Sequence, residues 1–252
     1  MKKLFIYIML LMGVILPSAA KNRAKQVIAH RGYWKTEGSA QNSISSLQNT
    51  YKIGVYGSEF DVHITRDGEV VVFHDDDVEG IKIENANYAD IKDKRLKNGE
   101  RIPKLQEYLA AAKSLGNMKL ILEVKEHIQK SDEDRCIDAT LKMVNEAGLA
   151  DRTEYISFNK HACDYIVQHA PKSKVSYLNG DLSPREAKEA GYAGIDYEDS
   201  VYIDHPSWIK EARQLGLVTN VWTVNDLKEI KYFFRQGIDY VTTNEPEKAK
   251  AL

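Results

Sequence analysis

The sequence predicts an α/β protein with one (β/α)8 barrel, or TIM barrel, and a short insertion after the second strand. Short runs rich in β-branched residues alternate with helical patterns almost to the end of the 252-residue chain. Eight of these runs are candidate parallel strands, each followed by a helix, in a chain close to the ~250 residues of such barrels. No stretch rich in Gly, Pro or Ser divides the chain, which favours one domain. Alternation alone leaves a doubly wound open sheet as the alternative.

The first twenty residues predict a secretory signal peptide. Lys2 and Lys3 precede an apolar run from Leu4 to Leu16, and small residues follow as far as Ala20. The run is shorter than the ~20 residues that a membrane-spanning helix needs, and no later stretch is long and apolar enough to span. We therefore expect an exported protein, periplasmic or secreted, with its barrel domain in residues 21–252. An uncleaved N-terminal anchor is the alternative.

The balance of charge excludes general nucleic-acid binding. The chain has 35 Lys and Arg against 37 Asp and Glu, a formal net charge of −2, and no basic run. Nucleic-acid binding depends on Lys and Arg side chains that release counterions from phosphates. We expect a small-molecule partner instead, and an anionic one would need positive charge that is local or supplied by a metal. Nothing in the spacing of Cys136 and Cys163 demands a bridge, so two buried free thiols are favoured over a disulfide.

The first part of the chain contains two strands, a hairpin and the insertion. Gln26 to Ala29 is an apolar strand, and a helix is predicted from about Asn42 to Ile53. Val55 to Thr65 contains the second strand, and an Arg-Asp-Gly turn leads into the hairpin return from Glu69 to His74. Asp75 to Arg101 is polar and has no strong period, so we interpret it as an inserted loop or small subdomain.

The rest of the chain repeats one helix and one strand at a time. Leu105, Leu109 and Ala112 lie on one face of a helix that Ile102-Pro103 opens. Lys119 to Val124 is an apolar strand of the fully buried type. The further strands are Glu154 to Ser157, Lys174 to Leu178, Gly194 to Tyr197, Val218 to Thr223 and Tyr240 to Thr242. The helices are Leu105 to Leu115, Asp132 to Ala147, His161 to His169, Pro184 to Ala190, Pro206 to Leu215, Leu227 to Gln236 and one from Pro246.

Carboxylates gather at the strand ends, where barrel enzymes place their chemistry. Glu59 and Asp61 are two residues apart on the second strand, so both side chains point to the same face. Two acids on the inward face of a barrel are costly unless a positive group neutralises them. A hard divalent cation with oxygen ligands would do so, and Glu123 on the next barrel strand could supply a third carboxylate. An ordinary solvated pair of acids is the alternative.

Two histidines and two cations lie at the same strand ends. His30 and His74 each follow an apolar run, and one imidazole could take a proton from a nucleophile while the other gives one to a leaving group. Arg31 and Lys125 could grip a phosphate. Taken singly, each histidine could be structural and each cation simply solvated. Together with the carboxylates they indicate metal-assisted cleavage of a phosphodiester.

Seven short motifs occur along the chain in an order typical of one family. They are His30-Arg31-Gly32, the stretch from Gly57 to Gly68, Phe73-His74-Asp75, Ile102 to Glu107, Leu122 to Lys125, Val221 to Asn225, and Gly237 to Asn244. Their order and spacing resemble the glycerophosphodiester phosphodiesterase family, whose fold is a (β/α)8 barrel. The family reaction splits a glycerophosphodiester into glycerol 3-phosphate and an alcohol, and one proposed route passes through a cyclic phosphate that water opens.

The resemblance implies a role for each candidate residue. It makes His30 and His74 the acid-base pair, and Arg31 and Lys125 phosphate contacts. It also implies that Trp222 lines the pocket, with a core aromatic as the alternative. The implied metal is Ca²⁺ or Mg²⁺, and its ligands would be Glu59, Asp61 and Glu123.

The sequence departs from the family at two notable positions. Gln41 stands where the family usually has Glu, and Asn244 stands where Asp is common. The departures leave the carboxylate cluster intact but affect the expected alcohol group. Two other activities therefore stay open: a lyase that stops at the cyclic phosphate, acting on a lysophospholipid or polymer diester, and a binding barrel without catalysis.

Overall fold

A computed structural model describes residues 26–252, so the predicted signal peptide lies outside the described residues. Eight of its eleven strands pair in parallel, in chain order, around a closed barrel; the three that follow the second strand, in the hairpin and the insertion, are not part of the ring. This closure confirms the (β/α)8 prediction against an open sheet. The strands are β1 (Gln26–Ala29), β2 (Gly57–Ile64), β3 (Val70–Val72), β4 (Asp77–Val78), β5 (Ile81–Lys82), β6 (Lys119–Val124), β7 (Thr153–Ser157), β8 (Lys174–Tyr177), β9 (Gly194–Glu198), β10 (Val218–Trp222) and β11 (Tyr240–Thr243).

The helices follow the predicted order with two additions, a four-residue helix in the insertion and a six-residue helix after β9. The six-residue helix after β9 was not predicted, because it lacks the Ser-Pro start that marks the equally short helix from Pro184. The helix predicted from Pro206 begins two residues later. The α-helices are α1 (Ile44–Ile53), α2 (Tyr88–Ile91), α3 (Leu105–Lys113), α4 (Lys130–Glu146), α5 (Lys160–His169), α6 (Pro184–Glu189), α7 (Asp199–Asp204), α8 (Trp208–Gln214), α9 (Leu227–Gln236) and α10 (Pro246–Lys250).

Two apolar layers lie on the two sides of the barrel wall. The outer layer, between strands and helices, includes Leu47 of α1, Phe60 of β2 and Leu109 of α3, all buried. The inner layer contains Ile28 and Ile121 together with Ile156 and Leu178. Because side chains alternate along a strand, the residues two positions beyond the inner ones also face the barrel axis. This register carries the polar residues at the strand ends into the mouth of the barrel.

The insertion has a small hydrophobic core of its own. It contains the two-stranded sheet of β4 and β5, a 3₁₀ turn (Ile83–Asn85) and α2. Ile83, Ile91, Leu96 and Ile102 are buried together with Val71 of β3. The polar, aperiodic sequence is therefore a small subdomain, and the cluster joins it to the hairpin that ends at His74.

The two cysteines are buried and unpaired within residues 26–252, Cys136 on α4 and Cys163 on α5. Burial raises the pKa of the Cys136 thiol to about 12, which keeps it protonated. The helices of this part of the chain are all too short or too polar to cross a bilayer.

Candidate active site

A cavity of about 130 Å³ lies at the carboxyl ends of the barrel strands. Every residue predicted for the site lines it except Asp61. Asp61 lies directly behind the cavity wall, 1% exposed, and contacts Arg31 and Lys125, which do line it. The structure therefore brings the eight predicted residues together. The lining comprises His30, Arg31, Glu59, His74, Glu123, Lys125, Ile156, Phe158, Leu178, Asp196, Trp222, Thr223 and Thr242.

Three carboxylates form a compact group on β2 and β6. Asp61 and Glu123 are direct register partners on these neighbouring strands, and Glu59 lies two residues before Asp61, on the same face of β2. Each of the three offers an oxygen, and these oxygens all lie within 4.8 Å of one another. Glu59 Oε1 is buried without a hydrogen-bond partner in residues 26–252. An oxygen-only donor set with an orphaned buried oxygen fits a hard divalent cation such as Ca²⁺ or Mg²⁺.

Burial and the neighbouring charges give these three acids different pKa values. Burial, with the charge of Asp61 second, raises the pKa of Glu59 well above its ordinary value and that of Glu123 to about 8. Burial acts on Asp61 in the same direction, but Lys125, His74 and Asn42 outweigh it and hold the pKa of Asp61 below its ordinary value. The cluster therefore carries less negative charge than three free carboxylates until a cation joins it.

Two cations border the carboxylates. Lys125 Nζ lies 2.8 Å from Glu123 Oε1 and 3.6 Å from Asp61 Oδ1. The Arg31 backbone N–H donates to Glu59 Oε2 at 2.7 Å, and its guanidinium Nη1 donates to Gln41 Oε1 at 2.8 Å. The amide oxygen of Gln41 therefore keeps a contact to Arg31 that a carboxylate would make more strongly.

The loop that carries Arg31 is shaped by unusual backbone angles. Arg31 has φ +54° and Asn42 has φ +60°, a region that non-glycine residues seldom occupy. Gly32 follows at φ +75°, and a Cβ there would lie 2.3 Å from Ser46 Oγ, so only glycine fits. Asn42 locks the loop to the cluster, because its Nδ2 donates to Asp61 Oδ2 at 2.8 Å and its backbone N–H donates to the Arg31 carbonyl at 3.0 Å.

The hydrogen bonds of His30 fix which ring nitrogen faces the cavity. Trp34 Nε1, which can only donate, lies 3.2 Å from Asn244 Oδ1, so Asn244 must present its oxygen at this point. His30 Nδ1 lies 2.9 Å from the same oxygen and is therefore the protonated nitrogen. Burial, followed by the Arg31 charge, lowers the pKa of His30 to about 4. His30 is thus neutral near pH 7, with a free lone pair on Nε2.

His74 ends the hairpin and lines the cavity. Its Nδ1 donates to Asp75 Oδ1 at 2.6 Å. Its backbone carbonyl accepts from the buried His63 Nε2 at 3.2 Å. His63 therefore anchors the chain at the position from which the His74 imidazole projects.

The wall opposite the carboxylates is mostly apolar and carries one acid that the sequence analysis missed. Trp222 lines this wall, as predicted, and its Nε1 donates to the Asp196 carbonyl at 2.8 Å. The Asp196 side chain also lines the cavity and is buried. An acid in the otherwise apolar strand Gly194 to Tyr197 was the available signal, since a buried barrel strand has no use for an acid in packing.

A wider groove of about 780 Å³ adjoins the deep cavity, between the loop after β1 and the insertion. Trp34, Gln41 and Asn42 line one side, and Phe73 with Asp75 lines the other. His74 lines both spaces. It therefore stands at the junction between a small cavity and a large groove.

Comparison with known proteins agrees with this architecture. The model of the glycerophosphoryl diester phosphodiesterase family matches residues 30–248. A probable glycerophosphodiester phosphodiesterase 2 from Mycobacterium tuberculosis is 31% identical over 241 residues, which cover 87% of this chain and 87% of that protein.

Solved structures show the same similarity. A glycerophosphodiester phosphodiesterase from Parabacteroides distasonis is 49% identical, with a TM-score of 0.89 over 90% of this chain and 95% of that one. A phosphodiesterase from Oleispira antarctica, solved with the product sn-glycerol-3-phosphate, is 25% identical, with a TM-score of 0.77 over 90% of this chain and 95% of that one. The chain is therefore a (β/α)8-barrel enzyme that belongs to the glycerophosphoryl diester phosphodiesterase family.

Proposed function

We propose that this chain hydrolyses glycerophosphodiesters to glycerol 3-phosphate and an alcohol in the deep cavity, with a divalent cation and with two histidines for proton transfer. The observation that carries the proposal is the group of three carboxylates, with oxygens within 4.8 Å of one another, in a cavity that His30 and His74 also line. The product bound in the Oleispira antarctica relative supports the substrate class.

His30 is suited to act as the general base. It is neutral near pH 7 because burial keeps its pKa low, and Nε2 is its unprotonated nitrogen. It accepts the proton of the attacking hydroxyl as the new bond to phosphorus forms. Asn244 holds the ring in the required tautomer throughout.

His74 is suited to act as the general acid. It lies between the deep cavity and the wide groove, where the bond to the leaving alcohol would be. As the bond between phosphorus and that oxygen breaks, His74 donates a proton to the oxygen, and the alcohol departs through the groove. A cyclic phosphate formed by attack of a glycerol hydroxyl would be opened by water with the two histidine roles reversed.

Glu59, Asp61 and Glu123 would hold the divalent cation. When bound, it supplies positive charge that stabilises the negative charge developing on the phosphoryl oxygens. Arg31 and Lys125 extend the positive surface on either side of the carboxylates and orient the phosphate.

The test is the hydrolysis of glycerophosphocholine and glycerophosphoethanolamine in the presence of Ca²⁺ or Mg²⁺. We expect glycerol 3-phosphate as the product, and we expect His30→Asn and His74→Asn each to lower kcat about 100- to 10,000-fold. Phosphorus NMR separates a monoester product from a stable cyclic phosphate, which would indicate a lyase. No turnover of any diester, with both histidine variants equal to the parent, would contradict the proposal.

We also propose that the chain is exported. Its first twenty residues have the charged, apolar and small-residue order of a signal peptide. Mass spectrometry of the mature N-terminus, after expression of the full chain in a bacterium, tests this proposal. Cleavage after Ala20 is expected, and an intact Met1 would contradict it.

A further inference from the structure

The wall of the deep cavity opposite the carboxylates carries an acid that the proposed reaction does not use. Asp196 on β9 lines the cavity and is only 3% exposed. Its Oδ1 has no hydrogen-bond partner in the part of the chain that the structure describes. Buried side-chain oxygens in folded proteins nearly always have a partner. Because Asp196 lines the cavity, a ligand bound there can supply a hydrogen-bond partner for its carboxyl group.

The surroundings of Asp196 favour a hydroxyl group as that ligand. Asn220 is its register partner on β10, and Asn220 Nδ2 donates to Thr242 Oγ1 at 2.8 Å. Trp222 and Leu178 supply apolar surface on the same wall. Burial raises the pKa of Asp196 to about 7, so near neutrality this group can both accept and donate a hydrogen bond. Such a small site, polar at one point and apolar around it, suits an alcohol carbon chain with one terminal hydroxyl.

The barrel order determines which end of the substrate reaches this wall. In the closed ring, β9 is four strands from β2 in either direction, so Asp196 lies across the barrel from Glu59 and Asp61. A phosphate held beside those carboxylates sends one substituent towards β9 and the other past His74 into the wide groove. The cavity of about 130 Å³ accommodates only the smaller substituent, the glycerol unit.

We propose that Asp196 binds the terminal hydroxyl of the glycerol unit and thereby selects diesters whose glycerol is free of acyl chains. This inference rests on the proposed function. An acyl ester at that position removes the hydroxyl proton and adds a chain that is too long for a cavity of about 130 Å³. Asp196 is thus a specificity-determining residue on the wall opposite the phosphate.

The experiment compares three substrates: glycerophosphocholine, the same diester with hydrogen in place of the terminal glycerol hydroxyl, and 1-acyl lysophosphatidylcholine. For the parent protein we expect kcat/KM to fall at least about tenfold when the hydroxyl is removed, and further when it is acylated. In Asp196→Leu, glycerophosphocholine and its deoxy analogue should be turned over equally. Asp196→Asn, which keeps hydrogen-bonding atoms, should retain part of the preference.

Glu133→Gln is the matched control. Glu133 on α4 is also a buried carboxylate with one unpartnered oxygen among the described residues, but it lies outside the cavity and accepts from Asn159 Nδ2 at 3.0 Å. The control should keep the parent preference for the free hydroxyl.

Three results would show whether the inference about Asp196 or the proposed function itself is wrong. A parent enzyme that turns over glycerophosphocholine and the deoxy diester equally overturns the inference even if the Leu variant does not fold. An active Asp196→Leu enzyme that keeps the full preference overturns it as well. A parent enzyme that hydrolyses no diester overturns the proposed function, and with it the basis of the inference.

Discussion

At the scale of single residues, Asn244 sets the tautomer of His30. Its oxygen accepts from Trp34 Nε1 and from His30 Nδ1, and it adds no charge. Burial therefore dominates, and the pKa of His30 stays at about 4. A carboxylate in the same place would stabilise the imidazolium and raise that pKa.

Asn244→Asp should consequently move the acidic limb of the kcat/KM profile to higher pH. In the parent, His30 is neutral and competent as a base above about pH 4, so the loss of activity that comes from protonation of His30 should appear only as the pH drops through that value. In the variant, the limb should rise by about one pH unit or more, because an anion within hydrogen-bond distance favours the charged ring. Profiles of kcat/KM against pH measure this shift, and an unmoved limb would show that another group controls it.

His63 makes a separate contribution to stability. Burial lowers its pKa to about 4, and its Nε2–H is donated to the His74 carbonyl. The unfolded chain would bind a proton at His63 below about pH 6.5, whereas the folded chain does not until about pH 4. The stability from the buried neutral ring is therefore complete above pH 6.5 and is lost as the pH falls towards 4, by about 3 kcal/mol over that range.

His63→Gln removes the contribution of His63 to acid destabilisation. The variant keeps a side-chain donor for the His74 carbonyl but cannot titrate, so its free energy of unfolding should decline less between pH 6.5 and pH 4 than that of the parent. Urea unfolding at several pH values gives both slopes. Identical slopes would mean that His63 does not take part in acid destabilisation, whatever the total change contributed by the carboxylate cluster.

At the scale of elements, the insertion and the barrel should respond differently to loss of core volume. Ile91 of α2 is fully buried in the cluster of the insertion, whereas Leu109 of α3 is buried in the outer layer of the barrel. Changing either residue to Ala should lower the free energy of unfolding of its own cluster by about 2–5 kcal/mol. For Ile91→Ala, the loss should appear first as faster hydrogen exchange in residues 75–102 and as lower activity, because this cluster includes Val71 of the hairpin that ends at His74.

Leu109→Ala is the control for that comparison. It should lower the midpoint of global unfolding without selectively increasing exchange in the insertion. Uniform protection across residues 75–102 in Ile91→Ala, together with full activity, would contradict the view that the insertion supports the catalytic hairpin.

The sequence predicted the elements with strong periodicity and left the irregular ones open. Parallel strands such as Lys119–Val124 and the helix Leu227–Gln236 have the predicted bounds because burial on both faces, or on one helical stripe, leaves a clear pattern. The core of the insertion has no pattern along the chain, since its apolar residues meet only through tertiary contacts. α7 is no shorter than α6, but it lacks the Ser-Pro start that made α6 predictable.

The same division applies to the site. The ends of the barrel strands located the histidines and carboxylates, because the fold itself brings those ends together. Asn42 on its loop and His63 on β2 orient them through hydrogen bonds that the sequence does not encode by spacing. Asp196 had a signal in its apolar strand, but only the closed barrel places it opposite the phosphate side.

At the scale of the whole molecule, the carboxylate cluster should link stability to metal binding. Three buried acids so close together repel one another, and a cation that binds only the folded state would remove that cost. We expect saturating Ca²⁺ or Mg²⁺ to stabilise the protein by about 3 kcal/mol at a hundred times the dissociation constant, relative to protein in EDTA. Calorimetric unfolding measures the change. An equal shift in Glu59→Gln would indicate binding elsewhere.

We propose that this carboxylate cluster, holding a cation, and the two histidines together hydrolyse glycerophosphodiesters. The most direct measurement is glycerol 3-phosphate formation from glycerophosphocholine by EDTA-treated protein, before and after Ca²⁺ or Mg²⁺ is restored, in the parent and in Glu123→Gln, with metal affinity measured beside turnover. We predict that metal restores turnover to the parent, and that the variant binds metal more weakly and stays largely inactive. Full turnover in EDTA, or a Glu123→Gln variant with unchanged metal affinity and turnover, would contradict this mechanism.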